Sequence, residues 1–149
     1  MRDSRLATRT FLMVATIVMT LAAPVVWGQG RISDKDVEAT MQNLKNEAKH
    51  FQSSFNSAID KSTVRKTSRE KDAKALVKTF AQQTDSMHNT FKSSKKADTS
   101  LPGVLSNAQQ IDKLLADVPL GDNVTSNGSR VRSELNTLVR AFNMLAPSQ

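Results

Sequence analysis

Glu47 and His50 are the two side chains in this sequence whose types and spacing come closest to a known reactive centre. Glu-x-x-His is the spacing with which four-helix bundles bind two iron ions, but such a site needs two copies of the motif and further glutamates that point inward. The second histidine, His88, has no glutamate or histidine three or four residues away. The sequence therefore predicts no carboxylate metal site, and both histidines are expected on the solvated flanks of their helices.

Other catalytic and cofactor-binding patterns are missing from the sequence. Cysteine is absent, which excludes disulfides, thiolate zinc sites and cysteine nucleophiles. A Ser-His-Asp arrangement would have only His50 and His88 as bases, and the sequence has neither a Gly-x-Ser-x-Gly turn nor a phosphate-binding loop. Met41, Met87 and Met144 are expected to fill the core rather than bind haem, because the last helical segment offers no histidine as a ligand. We therefore predict no enzyme activity and no cofactor.

Basic residues are concentrated between positions 61 and 78, where Glu70 and Asp72 are the only acidic residues. The seven cations are Lys61, Arg65, Lys66, Arg69, Lys71, Lys74 and Lys78, and a smaller group follows at Lys92, Lys95 and Lys96. Two interpretations are open. The cations could cover a solvated surface, or they could contact a polyanion or an anionic membrane surface, because clustered cations attract phosphate and carboxylate groups. Nucleic acid is not an expected partner, since no aromatic residues alternate with the cations.

The elements that must position these side chains are helices, because apolar residues return every three or four positions. Four such stripes follow one another, and Pro102, Gly103, Pro119 and Gly121 separate the later ones. Their members are Val37, Met41, Leu44, Ala48, Phe51, Phe55 and Ile59; Ala73, Leu76, Val77, Phe80, Thr84, Met87 and Phe91; Val104, Ala108, Ile111, Leu115 and Val118; and Val131, Leu135, Leu138, Phe142 and Leu145.

Amphipathic helices of this length need a partner for their apolar faces, and short connections favour antiparallel neighbours. The sequence therefore predicts an all-α protein, an up-down-up-down four-helix bundle with helices at about 34–60, 69–93, 103–118 and 127–146. The third helix looks short enough to be bent or loosely docked. The predicted bundle would place the seven-cation group near the turn between the first two helices and the smaller group at the opposite end.

Residues 1–28 have the pattern of a secretory signal peptide. Arg2, Arg5 and Arg9 precede an apolar run of 16 residues at 11–26, which is short for a membrane-spanning helix. Cleavage is expected after Gly28 or Gly30, leaving a single domain over 29–149; an uncleaved signal would leave a membrane-tethered protein. Cleavage after Gly28 would lower the formal charge from +7 to +5, because it removes three arginines and one aspartate. The predicted location is periplasmic or extracellular.

The segment Phe51-Gln-Ser-Ser-Phe-Asn-Ser-Ala-Ile-Asp-Lys-Ser62 resembles the phenylalanine-rich first helix of a family of uncharacterised exported bacterial proteins, frequent in acidobacterial genomes. The resemblance extends over residues 37–145. Its later positions are Phe80, Thr84, Asp85 and Phe91, then Ala108, Ile111 and Asp112, then Val131, Arg132, Leu135, Leu138, Phe142 and Asn143. What the resemblance implies is a helical, signal-bearing protein without an assigned activity.

Together these patterns favour an exported, non-enzymatic helical module that binds a protein or an anionic envelope component. The alternative is a periplasmic chaperone-like or stress protein that offers apolar surface to unfolded clients. A contiguous basic or apolar surface patch would favour the first function, and a concave apolar face together with dimerisation would favour the second.

Overall fold

The computed structural model describes residues 32–95 and 100–145, which form four α-helices. The helices are α1 (Asp34–Ile59), α2 (Ser68–Ser94), α3 (Leu101–Asp117) and α4 (Asp122–Leu145). None of these helices is long and apolar enough to cross a membrane. The predicted signal peptide lies outside the described residues.

The chain forms the predicted up-down-up-down four-helix bundle. Each helix packs antiparallel to the next one, and α4 returns to pack against α1, which closes the ring. One polar contact shows the register of each neighbouring pair: Lys45–Asp85 at 2.6 Å between α1 and α2, Arg69–Asp117 at 2.9 Å between α2 and α3, Arg132–Asp112 at 2.6 Å between α3 and α4, and Asn127–Ser54 at 3.0 Å between α4 and α1. α3 packs mainly against α2 and touches α4 only lightly.

The start of each of the first two helices is fixed by a side-chain cap. At the beginning of α1 the Ser33 hydroxyl accepts a hydrogen bond from the backbone N–H of Asp36 at 3.2 Å. Thr67 does the same for Glu70 at 3.3 Å at the start of α2. The Thr67 cap also fixes the end of the short connection between α1 and α2, residues 60–67.

The apolar stripes meet in one core, as predicted. All seven stripe residues of α1 are buried, and Phe51, Phe55, Phe80 and Phe91 are among the largest fully buried side chains. The four helices converge around a small apolar gap lined by Phe51, Phe80, Ile111, Leu115, Gly128 and Val131. Met41 and Met87 are fully buried in the core, as expected.

Two helix starts differ from the prediction. α3 begins at Leu101, so Pro102 and Gly103 lie in its first turn instead of in a loop. Proline is tolerated there, because the first N–H groups of a helix have no partner within the helix. α4 begins at Asp122 instead of 127, so Asn127 and Gly128 lie inside the helix. The true turn is at Gly121, whose φ of +87° suits glycine.

The early start of α4 follows from packing. Val124 is 1% exposed, and Gly128 is buried one helical turn later, so the apolar stripe of Val131 and Leu135 continues backwards through both residues. Residues 122–129 have a weak intrinsic preference for helix, so the sequence did not predict that α4 starts before position 127. Contact with the core outweighs that weak preference.

Replacing Gly128 with alanine is expected to raise the free energy of unfolding by about 0.5–1 kcal/mol, because glycine inside a helix is that much less favourable than alanine. A Cβ atom at this position would lie 3.5 Å from Phe51 Cε2 and 3.6 Å from Leu115 Cδ1, which are ordinary contacts. Urea unfolding of both proteins measures the difference. A loss of stability would show that α1, α3 and α4 pack more closely here than these distances indicate.

Candidate functional site

The seven predicted cations all lie where the sequence places them, on the connection between α1 and α2 and on the first half of α2. Two of them form ion pairs. Arg69 contacts Asp117 at 2.9 Å, and Lys74 contacts Asp60 at 2.5 Å and Glu70 at 2.7 Å. These two cations hold the end of the bundle together, since their partners lie at the ends of α1 and α3 and in the first turn of α2.

The other five cations form no ion pair with any residue that the structure describes, and all five are exposed: Lys61, Arg65, Lys66, Lys71 and Lys78. We call this set the basic end. Lys71 and Lys78 are seven residues apart on α2 and so lie on the same face of the helix. Lys66 adopts a left-handed backbone conformation with φ of 64°, and its N–H donates a hydrogen bond to the Glu70 carboxylate.

Glu70 is the acidic centre of this end of the bundle. The Lys74 ammonium and the Lys66 N–H lower its pKa from the ordinary value of 4.5 to about 2. Asp60 and Glu70 together raise the pKa of Lys74. The Glu70 carboxylate therefore stays ionised well below neutral pH. Its ion pair with Lys74 neutralises that ammonium group, so we do not count Lys74 in the basic end.

Because the folded state lowers the pKa of Glu70, its ionisation stabilises the fold above pH 4.5, and this contribution is lost as the pH falls towards about 2. Glu70→Gln is expected to melt at a lower temperature than the natural protein at neutral pH, and the two melting temperatures should converge near pH 2. Thermal unfolding followed by circular dichroism across this range measures the difference. Asp72→Asn, which removes an exposed carboxylate without a described ion pair, is the control; an equal pH dependence there would contradict the assignment.

An open groove of about 690 Å³ runs between α1 and α4 and reaches the basic end at Lys61. We call it the polar groove. Hydroxyl, amide and charged side chains make up most of its lining, and four apolar residues complete it. Its residues are Glu47, His50, Ser53, Ser54, Ser57, Ala58, Lys61 and Ser62 on the α1 side, and Pro119, Leu120, Asn123, Val124, Asn127 and Arg130 on the α4 side.

Inside the groove, Asn127 Nδ2 donates a hydrogen bond to Ser54 Oγ at 3.0 Å, which joins the two walls. Further along α1, the Glu47 Oε2 atom is buried and accepts no hydrogen bond from any described residue. Glu134 on α4 lies near enough to Glu47 for its pKa to be raised, first by burial and then by the Glu47 charge. The groove therefore has a carboxylate towards one end and an ammonium group, Lys61, at the other.

The two histidines do not behave alike. His50 is exposed on the wall of the polar groove, as predicted, whereas His88 is only 6% exposed, so the prediction of a solvated His88 is wrong. His88 is buried because it follows Met87 on the face of α2 that packs against the core, and its Nδ1 atom has no partner among the described residues. Within residues 32–95 and 100–145, no group of three or more histidine or carboxylate side chains is placed to hold a metal ion.

Of the two described residues of the second basic group, one is paired with a carboxylate. Lys95 pairs with Glu38 of α1 and lies 5.8 Å from the centre of the Phe91 ring, and this pairing lowers the pKa of Glu38. Lys92 is exposed, and Lys96 lies outside the described residues.

The candidate site therefore combines the basic end with the polar groove, and the two meet at Lys61. The basic end reaches from the connection to Lys78, which lies about 15 Å along α2 from its first residue. Sequence reasoning identified the cations but missed the groove. A signal was present on α1, where Glu47, His50, Ser54, Ser57 and Lys61 form a polar stripe with helical spacing beside the apolar one. No protein-family model, curated protein or solved structure matches the chain.

Proposed function

We propose that this chain is an exported, non-enzymatic helical-bundle protein that binds an anionic polymer of the cell envelope through its basic end. The observation that carries the proposal is that five clustered cations lie exposed without an ion pair among the described residues, while Arg69 and Lys74 nearby are paired. When these cations bind an anion, no ion pair within the described residues has to be broken. Their common location favours a ligand with several negative charges.

The physical basis of this binding is long-range attraction. Several like charges on one surface produce a potential that draws in anions, and salt screens that potential over a Debye length of about 10 Å at about 0.1 M. Each exposed ion pair contributes little by itself, about 0.2–1 kcal/mol. A polymer that engages several cations at once adds these contributions together.

Export is the second part of the proposal. It is supported by Arg2, Arg5 and Arg9 ahead of the apolar run at 11–26, and by small residues at Gly28 and Gly30. In a periplasmic or extracellular location the partners with repeated negative charge are envelope polymers. The resemblance to exported helical proteins agrees with this location, and we extend the proposal to membership of that family.

The test is retention of the purified protein on polygalacturonate, with its methyl ester as the uncharged counterpart. We expect retention on the acid polymer only, and we expect it to disappear between about 0.1 M and about 1 M salt, where the Debye length falls from about 10 Å to about 3 Å. Anionic lipid vesicles are the second ligand. If vesicles captured the protein and the polymer did not, the ligand would be a membrane surface and the proposal of an envelope polymer would be wrong.

Capture of unfolded proteins that persists at high salt would favour the chaperone-like alternative. That function needs an apolar concave surface, and the large groove of the described residues is lined mainly by polar side chains. Retention on both the acid polymer and its methyl ester would contradict the charge-based proposal.

A further inference from the structure

We propose that the polar groove is a binding site for one strand of an acidic, hydroxyl-rich glycan. The inference rests on the proposed function, since Lys61 belongs to both the basic end and the groove. It goes further in naming the ligand class and the surface that recognises it. The basic end attracts the polymer, and the groove selects its chemistry.

The polar groove is elongated enough to hold a linear polymer. Its α1 wall extends from Glu47 to Ala58, which corresponds to about 17 Å at 1.5 Å per residue, and Lys61 lies just beyond the end of this helix. The α4 wall runs antiparallel to it, and the hydrogen bond between Asn127 and Ser54 fixes their register. A linear ligand can lie along this length with both walls in reach.

The lining matches the functional groups of an acidic glycan. Four serines and two asparagines line the groove. The Ser54, Ser57 and Ser62 hydroxyls donate to backbone carbonyls of their own segment, so they offer a ligand mainly acceptors. The side chains of Ser53 and Asn123, which form no hydrogen bond with a described residue, offer both donors and acceptors to ligand hydroxyls. Arg130 and Lys61 are separate cations on the two walls, each able to contact an acid group of the ligand. Glu47 lies at the far end of the lining from Lys61, so an acid group of the ligand is expected at the Lys61 end.

Two other ligand classes fit less well. No phenylalanine, tyrosine or tryptophan is among the described residues that line the groove, and His50 is the only aromatic ring there, so nucleic-acid bases would have little on which to stack. An apolar client would cover the hydroxyl and amide groups without replacing their hydrogen bonds to water, which is costly. A glycan carries both the hydroxyls and the acid groups that the lining can satisfy.

The experiment compares a pair of variants that leave net charge unchanged. Ser57→Ala with Asn123→Ala removes exposed hydrogen-bonding groups from the groove, and Ser86→Ala with Asn136→Ala makes the same changes at exposed positions elsewhere. Affinities are measured for polygalacturonate oligomers and for polyphosphate, an anion without hydroxyls. We expect the groove variant to bind the glycan about tenfold more weakly than the control, and to bind polyphosphate as the control does.

Arg130→Gln and Arg140→Gln provide a second pair, since both arginines lie exposed on α4 and Arg130 alone lines the groove. The first substitution should weaken glycan binding more than the second. Circular dichroism of each variant confirms that the bundle is intact. Equal glycan binding by groove and control variants would overturn this inference but leave the proposed function in place, provided that binding still depends on the basic end. An equal loss of polyphosphate binding would also overturn it, because the groove would then not distinguish hydroxyl groups.

Discussion

Replacing Phe51 with alanine is expected to lower the free energy of unfolding by about 3–5 kcal/mol, which is a large part of the stability of a domain of this size. Phe51 is 1% exposed and lines the gap at which the four helices converge. Its ring centre lies 5.8 Å from that of Phe55, and its edge is the nearest side chain to Gly128 of α4. Alanine would leave a cavity that the neighbouring helices can fill only in part.

Urea unfolding of the natural protein and of Phe51→Ala measures this loss. Ser53→Ala is the control, since Ser53 is exposed on the same helix, and we expect it to change stability by less than about 0.5 kcal/mol. If Phe51→Ala lost no more than the control, Phe51 would not lie at the centre of the bundle. The result bears on the fold alone and leaves the proposed ligand untouched.

The second large effect is expected on binding. Replacing all five residues of the basic end with glutamine should weaken binding to polygalacturonate at low salt on the order of a hundredfold, because each ion pair lost contributes about 0.2–1 kcal/mol. The side chains are exposed and form no described ion pair, so the fold should be preserved. Affinities at several salt concentrations measure both the loss and the weaker salt dependence expected of the variant.

The matched control carries the same change in charge at five exposed cations outside the basic end. These are Lys35, Lys49, Lys92, Lys113 and Arg140, all replaced with glutamine. If both variants lost affinity equally, binding would respond to the net charge of the protein and not to a particular surface. If only the basic-end variant lost affinity, binding would depend on the position of the cations and not on the net charge of the protein.

The helices could be predicted well because apolar periodicity reports directly on burial. α1 is the clearest case, since all seven stripe positions from Val37 to Ile59 are buried. The start of α4 could not be predicted in this way. Gly128 is an ordinary turn signal, and only contact with Phe51 and Leu115 shows why it lies inside a helix.

The candidate site was less accessible to sequence reasoning. The cluster of cations is visible in the chain, but which of them are neutralised depends on contacts between distant positions, such as Arg69 with Asp117, 48 residues later. The polar groove has two walls from segments about seventy residues apart, joined by Asn127 and Ser54. His88 was misplaced for the same reason, because its burial depends on the helices packed around α2.

The light attachment of α3 has a consequence for how the bundle opens. Only two residues within this helix, Val104 and Ile111, are buried, compared with seven in α1 and eight in α2. Five more apolar residues of α3 are only partly buried against the core: Leu101, Leu105, Ala108, Leu114 and Leu115. Because α3 buries its apolar face less completely than α1 and α2 do, it is the helix that we expect to separate from the ring most easily. The polar groove lies between α1 and α4, and such an opening would leave both of its helical walls in place.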